Sequence, residues 1–255
     1  MKVVSEKIQF PYRIPVIIFA VMIAFHAFLE FQKPSDELYL TIGMVFVLMA
    51  LTVLVSCFAI SKIYCYSRIF GMSYLILGVG YFFAFVGEIS FVYFVDILGE
   101  ESSPILSEIS FLILYVLILI HLAINIRYFA DRLVLYQKVL LSVIPIAMIL
   151  TYSFLLFDTG NVDDFELPYS LVAISLSSLT VSFAVVGFTL FKQTVLMIAW
   201  FLLLVGMFAG SVGDIANYYL VAIGDFNSIS NYSTTLWITS NAIVIYALYR
   251  HQRTV

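Results

Sequence analysis

The sequence predicts an all-α polytopic membrane protein with eight transmembrane helices, arranged as two tandem four-helix repeats. Composition is the first observation: 63% of the 255 residues are hydrophobic and 11% are charged, whereas about a quarter of a soluble domain is charged. The mean hydropathy is +1.09. The second and third observations are a series of apolar stretches and a similarity between the two halves of the chain. No stretch is left that could form a separate soluble catalytic domain, such as a kinase.

Each membrane crossing needs about 20 mostly apolar residues, and eight stretches meet this requirement. The first follows a basic start, as a signal peptide would, but no small-residue cleavage pattern follows it, so we expect it to be retained. The whole chain, 1–255, is then a single membrane domain. The predicted spans are 12–31, 38–60, 71–95, 105–126, 139–157, 169–190, 194–220 and 232–249.

Basic residues orient these predicted helices. Eight crossings place both termini on one side, and eleven of the twelve basic residues fall on that side, with Lys33 alone on the other. By the positive-inside rule, both termini are cytoplasmic and the protein is a multi-pass protein of the cell membrane. The net charge of −4 disfavours nucleic acid as a partner, because phosphate binding needs clustered Lys and Arg. The expected surroundings are the lipid bilayer.

Three acidic residues cannot be placed in loops without changing the number of spans. Glu88 and Asp214 lie inside the third and seventh spans, and Glu108 lies at the outer mouth of the fourth. A charged side chain within lipid costs at least about 2.5 to 3.5 kcal/mol on insertion scales. Each of these acids must therefore be protonated, paired or hydrated.

The two halves of the chain share a pattern of small and acidic residues. A duplicated four-helix unit explains it, with repeats at 1–130 and 131–255. Because four is even, both repeats insert the same way up, related by a pseudo-twofold axis along the membrane normal. Packing alone would favour the small residues, which let helices approach closely in lipid, but it would not require the acids. The matching residues are Gly80, Ala84, Gly87 and Glu88 and, 126 positions later, Gly206, Gly210, Gly213 and Asp214; Phe111 matches Trp237 at the same offset.

Glu88 and Asp214 would lie near each other if the third and seventh helices meet across this axis. Three functional interpretations then stay open: a general acid–base pair that shares a proton, a site for a cation or proton, and a polar pocket for a ligand with donor groups. A structural alternative is a hydrogen bond from a protonated acid to a neighbouring helix. Other polar residues lie at the same outer level. The predicted ligand-binding residues of this outward-facing acidic pocket are Glu88, Glu108, Asp214, Asn217, Asn241, His26 and Thr234.

Remaining polar residues in the spans favour structural roles. The hydroxyls of the sixth span, Ser177 among them, are expected to bond their own helix. His121 and Asn125 lie four apart near the cytoplasmic end of the fourth span, where a hydrogen bond is expected. His26 and His121 lie at opposite depths, which disfavours haem or a three-histidine zinc site. No lysine lies in a span to form a Schiff base. The sequence therefore predicts no cofactor, no metal and no catalytic residue.

A stretch from Gly87 to Tyr115 resembles the multi-helix membrane sensor regions at the N-termini of prokaryotic histidine kinases and diguanylate cyclases. Those regions combine a glycine–acid pair in one helix with a short polar loop and a proline–serine–acid motif that opens the next. Here the acids are Glu88 and Glu108, and Pro104 and Ser107 stand for the proline and serine. The resemblance implies a sensory role. Such sensors feed a cytoplasmic domain, so we expect this chain to signal through a separate cytoplasmic or membrane partner.

The glycine–acid pairs are also similar to those of lysoplasmalogenase-like membrane hydrolases, which have eight helices. That resemblance implies an intramembrane hydrolase with Glu88 and Asp214 as its pair, although the histidine motif of those hydrolases is absent here. The function that the sequence favours is a sensory or ligand-binding membrane module. An ion- or proton-coupled transporter, the hydrolase and a structural subunit of a membrane complex stay open as alternatives, as does an oligomer.

Overall fold

The computed structural model describes residues 13–31, 35–64, 68–100, 104–130, 132–157, 166–191, 196–223 and 226–254. These residues form eight α-helices and no strand. α3 continues directly into a π-helical segment, Val92–Ile97. The helices are α1 (Arg13–Phe31), α2 (Asp36–Ile63), α3 (Arg68–Phe91), α4 (Ile105–Phe129), α5 (Leu135–Phe157), α6 (Glu166–Phe191), α7 (Met197–Ile223) and α8 (Phe226–Thr254).

Seven helices of the described chain, α1 to α7, are long and apolar enough to cross a membrane. The prediction of an all-α, multi-pass membrane protein is thereby confirmed. α8 is not among the seven, because Ser, Thr and Asn recur along its first half. It nevertheless runs alongside α7, and its crossing of the membrane stays a prediction.

Helices that are consecutive in the chain run antiparallel, which gives the bundle two distinct ends. Ser61 near the end of α2 donates to the Gly71 carbonyl near the start of α3 at 2.7 Å, and Gln137 at the start of α5 reaches Thr189 at the end of α6. We call this the basic end, because Lys62, Arg127, Lys138 and Arg250 lie at the helix ends there. The opposite end, where α4 and α6 begin, is the acidic end.

The third span extends further than its hydropathy indicates. The sequence places Asp96 in a loop after a span that ends at 95, whereas the π-helical segment carries the helix on to Ile97. Gly99, with φ of 71°, then lets the chain turn away, and its N–H bonds the Val95 carbonyl at 3.1 Å. A left-handed glycine of this kind is a common way for a helix to end. Asp96 is consequently a half-buried residue on the wall of the bundle.

Six helices form the centre of the bundle. α2, α3 and α4 pack in sequence, as do α6, α7 and α8, and the two groups meet where α2 touches α8 and α4 touches α6. α1 and α5 lie outside this centre. The backbone of α5 approaches α6 and α7, whereas that of α1 approaches only α8 among the described helices. The pairings of the six central helices are the same in both halves, and those of α1 and α5 differ. The duplication itself stays a prediction.

Glycines let α3 approach α4, and α7 approach α8. A Cβ at Gly80 would lie 3.1 Å from Leu117 Cβ, and one at Gly87 would lie 3.1 Å from Ser110 Cβ. In the second half, a Cβ at Gly206 would lie 2.9 Å from Val244 Cγ2. The remaining small residues of the pattern lie on these helices as well: Gly210 faces Ser240, Gly213 faces Trp237, and Ala84 is buried. Small residues at such positions allow close contact between helices in lipid.

Candidate functional site

Asp214 is a buried acid in α7, with 7% of its surface exposed. Three side chains from three other helices donate hydrogen bonds to its carboxylate. Tyr115 Oη of α4 lies 2.5 Å from Oδ2, Ser177 Oγ of α6 lies 2.6 Å from Oδ2, and Trp237 Nε1 of α8 lies 3.0 Å from Oδ1. Hydrogen bonds to the charged form are the way a protein stabilises a carboxylate away from water. Asp214 therefore joins four helices drawn from both halves of the chain.

The two carboxylate oxygens of Asp214 have different neighbours. Trp237 Nε1 can only donate, so Oδ1 must accept. Both partners of Oδ2 are hydroxyls, which can donate or accept. Ser177 Oγ also lies 2.5 Å from Ser211 Oγ. Because a hydroxyl has one proton, Ser211 can donate to Ser177 Oγ or to the Ser177 carbonyl at 3.2 Å when Ser177 donates to Asp214. If the carboxylate gained a proton, Oδ2 could carry it and one hydroxyl could turn to accept it.

A chain of tyrosines links this carboxylate to the acidic end. Tyr218 lies one helical turn beyond Asp214, and its ring meets that of Tyr169 edge to face with centroids 6.0 Å apart. Tyr169 Oη in turn donates to the Glu108 carbonyl at 3.4 Å. Glu108 is half-buried in the first turn of α4. The structure therefore places Glu108 and Asp214, two of the three singled-out acids, along one seam between α4, α6 and α7.

Glu88 has different surroundings. Among the described residues, the backbones of α3 and α7 do not approach each other, and the hydrogen bonds of Asp214 go to other helices. Asp96 on the π-helical segment lies close enough to act electrostatically on Glu88. A Cβ at Gly43 of α2 would lie 2.6 Å from Asp96 Oδ2, so this glycine makes room for the carboxylate. The pairing of Glu88 with Asp214 stays a prediction, and no contact of Asp214 supports it.

The histidine of the predicted site makes its contact between α1 and α8. His26 Nδ1 lies 3.2 Å from Thr235 Oγ1, and its ring lies against Tyr232 with centroids 4.7 Å apart. Thr235 follows directly on Thr234, the residue predicted from the sequence. Three predicted residues are half-buried: Thr234 and Asn241 in α8, and Asn217 in α7, one turn from Asp214.

The sequence did not single out the partners of Asp214 as site residues. Tyr115 has a place only in the sensor resemblance, Trp237 only as the match of Phe111, and Ser177 is expected to bond its own helix. In the structure, Ser177 bonds across to α7, whereas its neighbours Ser175 and Thr180 do bond carbonyls of α6. Tyr115 lies seven residues after Glu108, so both lie on one face of α4. This spacing is the signal that could have identified Tyr115.

A second polar cluster lies at the basic end. Asn125 Nδ2 donates to the His121 carbonyl at 2.8 Å and to Ser73 Oγ at 2.5 Å, and Ser73 Oγ lies 2.7 Å from His121 Nδ1. The prediction of a hydrogen bond between His121 and Asn125 is confirmed, although it goes to the backbone. All three residues are buried. The cluster ties α3 to α4 and is complete without a ligand.

Next to it, His251 of α8 joins α2 and α3. Its Nε2 lies 3.0 Å from Tyr64 Oη, and its ring lies 4.9 Å from the Tyr74 ring between centroids. His251 follows the last predicted span, and burial, followed by the charge of His121, lowers its pKa to about 4. Burial also raises the pKa of Tyr64. The pair is therefore neutral at physiological pH.

Metal ligands are not grouped in the described part of the chain: no three His, Cys, Asp or Glu side chains come together there. The chemistry that Asp214 can support is the binding of a proton, a cation or a hydrogen-bond donor. No protein-family model matches the chain, and neither a curated protein nor a solved structure is significantly similar to it.

Proposed function

We propose that this protein is a sensory or ligand-binding module of the membrane, with its site around Asp214 toward the acidic end. The observation that supports it best is the convergence of α4, α6 and α8 on one carboxylate of α7. A change in the charge or coordination of that carboxylate would alter hydrogen bonds to three helices at once. A ligand shifts a conformational equilibrium only through contacts that differ between two states, and these bonds would supply that difference.

The ligand that suits this site is a small cation or a protonated amine. The three donors around Asp214 are neutral groups, so they stabilise its charge without cancelling it. Tyr169, Tyr218 and Glu108 continue the polar seam toward the acidic end. On the predicted topology this end faces outward, and Glu108 and Asp214 are the members of the predicted acidic pocket that lie along the seam. The signal would leave through the basic ends of the same helices, toward a separate membrane or cytoplasmic partner.

The test is a thermal-unfolding assay of the purified protein. Sodium, potassium, calcium and methylammonium are compared at constant ionic strength, with choline as the reference cation. We expect at least one of them to raise the Tm of the wild type, and Asp214→Asn to remove that rise. Glu100→Gln, which changes an exposed acid away from the seam, should keep it. A Tm that is the same with every cation, or a rise that Asp214→Asn retains, would overturn the proposal.

Asp214→Asn could fail to fold, and Tyr115→Phe then provides the same test. This substitution keeps the ring and the carboxylate but deletes one donor to Oδ2. We expect it to change the cation concentration needed for half of the Tm rise. Tyr93→Phe, on an exposed ring, is the matched control and should leave that concentration unchanged.

An ion- or proton-coupled carrier is the second candidate. The observation that favours it is the pair of hydroxyls at Asp214 Oδ2, which can reverse their roles when a proton is gained or lost. Intramembrane acids with such partners are typical of proton pathways. A carrier predicts uptake into liposomes that depends on a pH or sodium gradient and is lost in Glu88→Gln or Asp214→Asn. Flux equal to that of empty vesicles would eliminate this candidate.

A further inference from the structure

A cleft at the basic end lies between α4, α6 and the connection from α4 to α5. Its volume is about 210 Å3. This is smaller than a typical pocket for a whole small ligand, which measures about 300 to 1,000 Å3. The cleft therefore suits one segment of a larger molecule. The residues that line it are Ala123, Ile126, Arg127, Ala130, Leu133 and Phe183.

The lining combines apolar walls with a single cation. Arg127 lies in the last turn of α4 and is exposed. Within the described residues, no carboxylate forms an ion pair with it; Asp131 lies outside them. The other five lining residues carry no polar side-chain atom. A guanidinium beside an apolar cleft matches a molecule with an anionic head and a hydrocarbon chain, because guanidinium binds phosphate through paired hydrogen bonds.

The wall of the cleft that carries Leu133 is held in place by hydrogen bonds. Gln137 is buried, and its Nε2 donates to Thr189 Oγ1 of α6 at 2.9 Å. Its Oε1 accepts from the Val134 backbone N–H at 3.1 Å. The connection between α4 and α5 is thereby fastened to α6, the helix that contributes Phe183. The cleft is therefore a formed feature of the fold.

Exposed aromatic rings mark this level of the bundle as the membrane interface. Tyr128, Phe129 and Tyr136 flank the cleft along the chain, with 54%, 44% and 51% of their surfaces exposed. Aromatic side chains concentrate where the headgroups meet the hydrocarbon. Two further exposed cations, Arg132 and Lys138, lie on the same connection and the start of α5. An anionic headgroup at this depth would meet Arg127 directly, while its chain lay toward the bilayer.

We propose that the cleft beside Arg127 binds one anionic phospholipid, with its phosphate on the guanidinium and part of an acyl chain against Ala123, Ile126 and Phe183. Basic pockets between membrane helices recognise acidic lipid headgroups by the same chemistry. The proposal is independent of the proposed function at Asp214, because the two sites lie toward opposite ends of the bundle.

Native mass spectrometry of the purified protein in a neutral detergent tests this proposal. Phosphatidylglycerol and phosphatidylcholine with matched chains are titrated separately. We expect one molecule of phosphatidylglycerol to bind more tightly than phosphatidylcholine, and Arg127→Gln to weaken that binding about five- to tenfold, as expected for one interfacial cation. Lys62→Gln removes an exposed cation at the same end, on α2, and should leave binding unchanged.

Two further measurements distinguish binding in the cleft from loss of folding and from binding of phosphate alone. Ala123→Phe fills the cleft without changing charge and should also weaken phosphatidylglycerol binding, while the Tm in lipid-free detergent reports whether each variant is folded. Inorganic phosphate at the same concentration should not raise the Tm. Equal binding in wild type and Arg127→Gln, equal affinity for both lipids, or a Tm rise with inorganic phosphate alone would each overturn the proposal.

Discussion

Trp237 donates its indole N–H to Asp214 Oδ1 over 3.0 Å, from a ring that packs against Gly213. Phe111, its match in the first half, packs in the same way against Gly87, beside Glu88. Phenylalanine provides the same aromatic contact but has no hydrogen to donate. The two halves thus agree in how their helices pack and differ in the hydrogen bonds available to the acid. Among the described residues, a ring N–H donates to the acid in the Asp214 half alone.

Trp237→Phe should therefore destabilise the protein by about 1 to 3 kcal/mol, because it removes one donor from a buried acid and retains most of the ring. Thermal or denaturant unfolding in detergent measures this effect. In an Asp214→Asn background, Trp237→Phe should lower the free energy of unfolding by clearly less, because the charged acceptor is then absent. An equal cost in both backgrounds would show that ring packing, not the hydrogen bond, is responsible.

Tyr115→Phe and Ser177→Ala should not be additive. Both residues donate to Asp214 Oδ2, and after either loss the other can still satisfy that atom. We expect an interaction free energy of at least about 0.5 kcal/mol in a double-mutant cycle of unfolding. Ser182→Ala is the matched control, since Ser182 is equally buried but bonds the Leu179 carbonyl of its own helix. Tyr115→Phe combined with Ser182→Ala should be additive.

Gly187→Ala should be among the most damaging glycine substitutions. A Cβ at this position would lie 2.2 Å from Trp200 Cζ3, and the indole is stacked on Phe191 with centroids 4.5 Å apart. The ring cannot move aside without losing that stacking, so we expect a loss of about 1 to 3 kcal/mol. Gly78→Ala meets the partly exposed Phe58 ring at 3.0 Å and the Cys57 Cβ at 3.3 Å, both distances clearly longer than the 2.2 Å at Gly187. The Tm of Gly78→Ala should therefore fall less than that of Gly187→Ala. A larger fall for Gly78→Ala would contradict this explanation.

The contribution of His251 to stability should increase with pH between about 4 and 6.5. Burial lowers the pKa of His251 from 6.5 to about 4, so in this window the unfolded chain binds a proton that the folded chain does not. The contribution of neutral His251 to the free energy of unfolding is complete above about pH 6.5 and is lost as the pH falls toward 4. Tm measured from pH 7.5 to 4.5 should fall less steeply in His251→Gln than in the wild type. Tyr64→Phe should retain the wild-type slope, because burial is the main cause.

The helices were predictable because apolar length alone determines which segments enter a bilayer. Residues such as Asp214 and Glu108 could also be singled out, since an acid in an apolar run is conspicuous. The hydrogen-bond partners of Asp214 could not be predicted from the sequence. Ser177 and Tyr115 are ordinary residues of apolar helices, and only the rotation and depth of α4 and α6 relative to α7 bring them to one carboxylate. The end of the third span was predicted at 95, because hydropathy does not reveal that the helix continues as a π-helix to Ile97.

α1 has one consequence for how the bundle is made. Its backbone comes close only to that of α8 among the described helices, and His26 meets Thr235 there. The ribosome synthesises six other helices between these two. During that time α1 can pack through side chains such as Leu29 against Ile42 of α2, while its backbone still lacks the neighbour that α8 provides. Closure of the bundle at this edge is thus a late event of biogenesis, and contacts so distant in sequence form slowly.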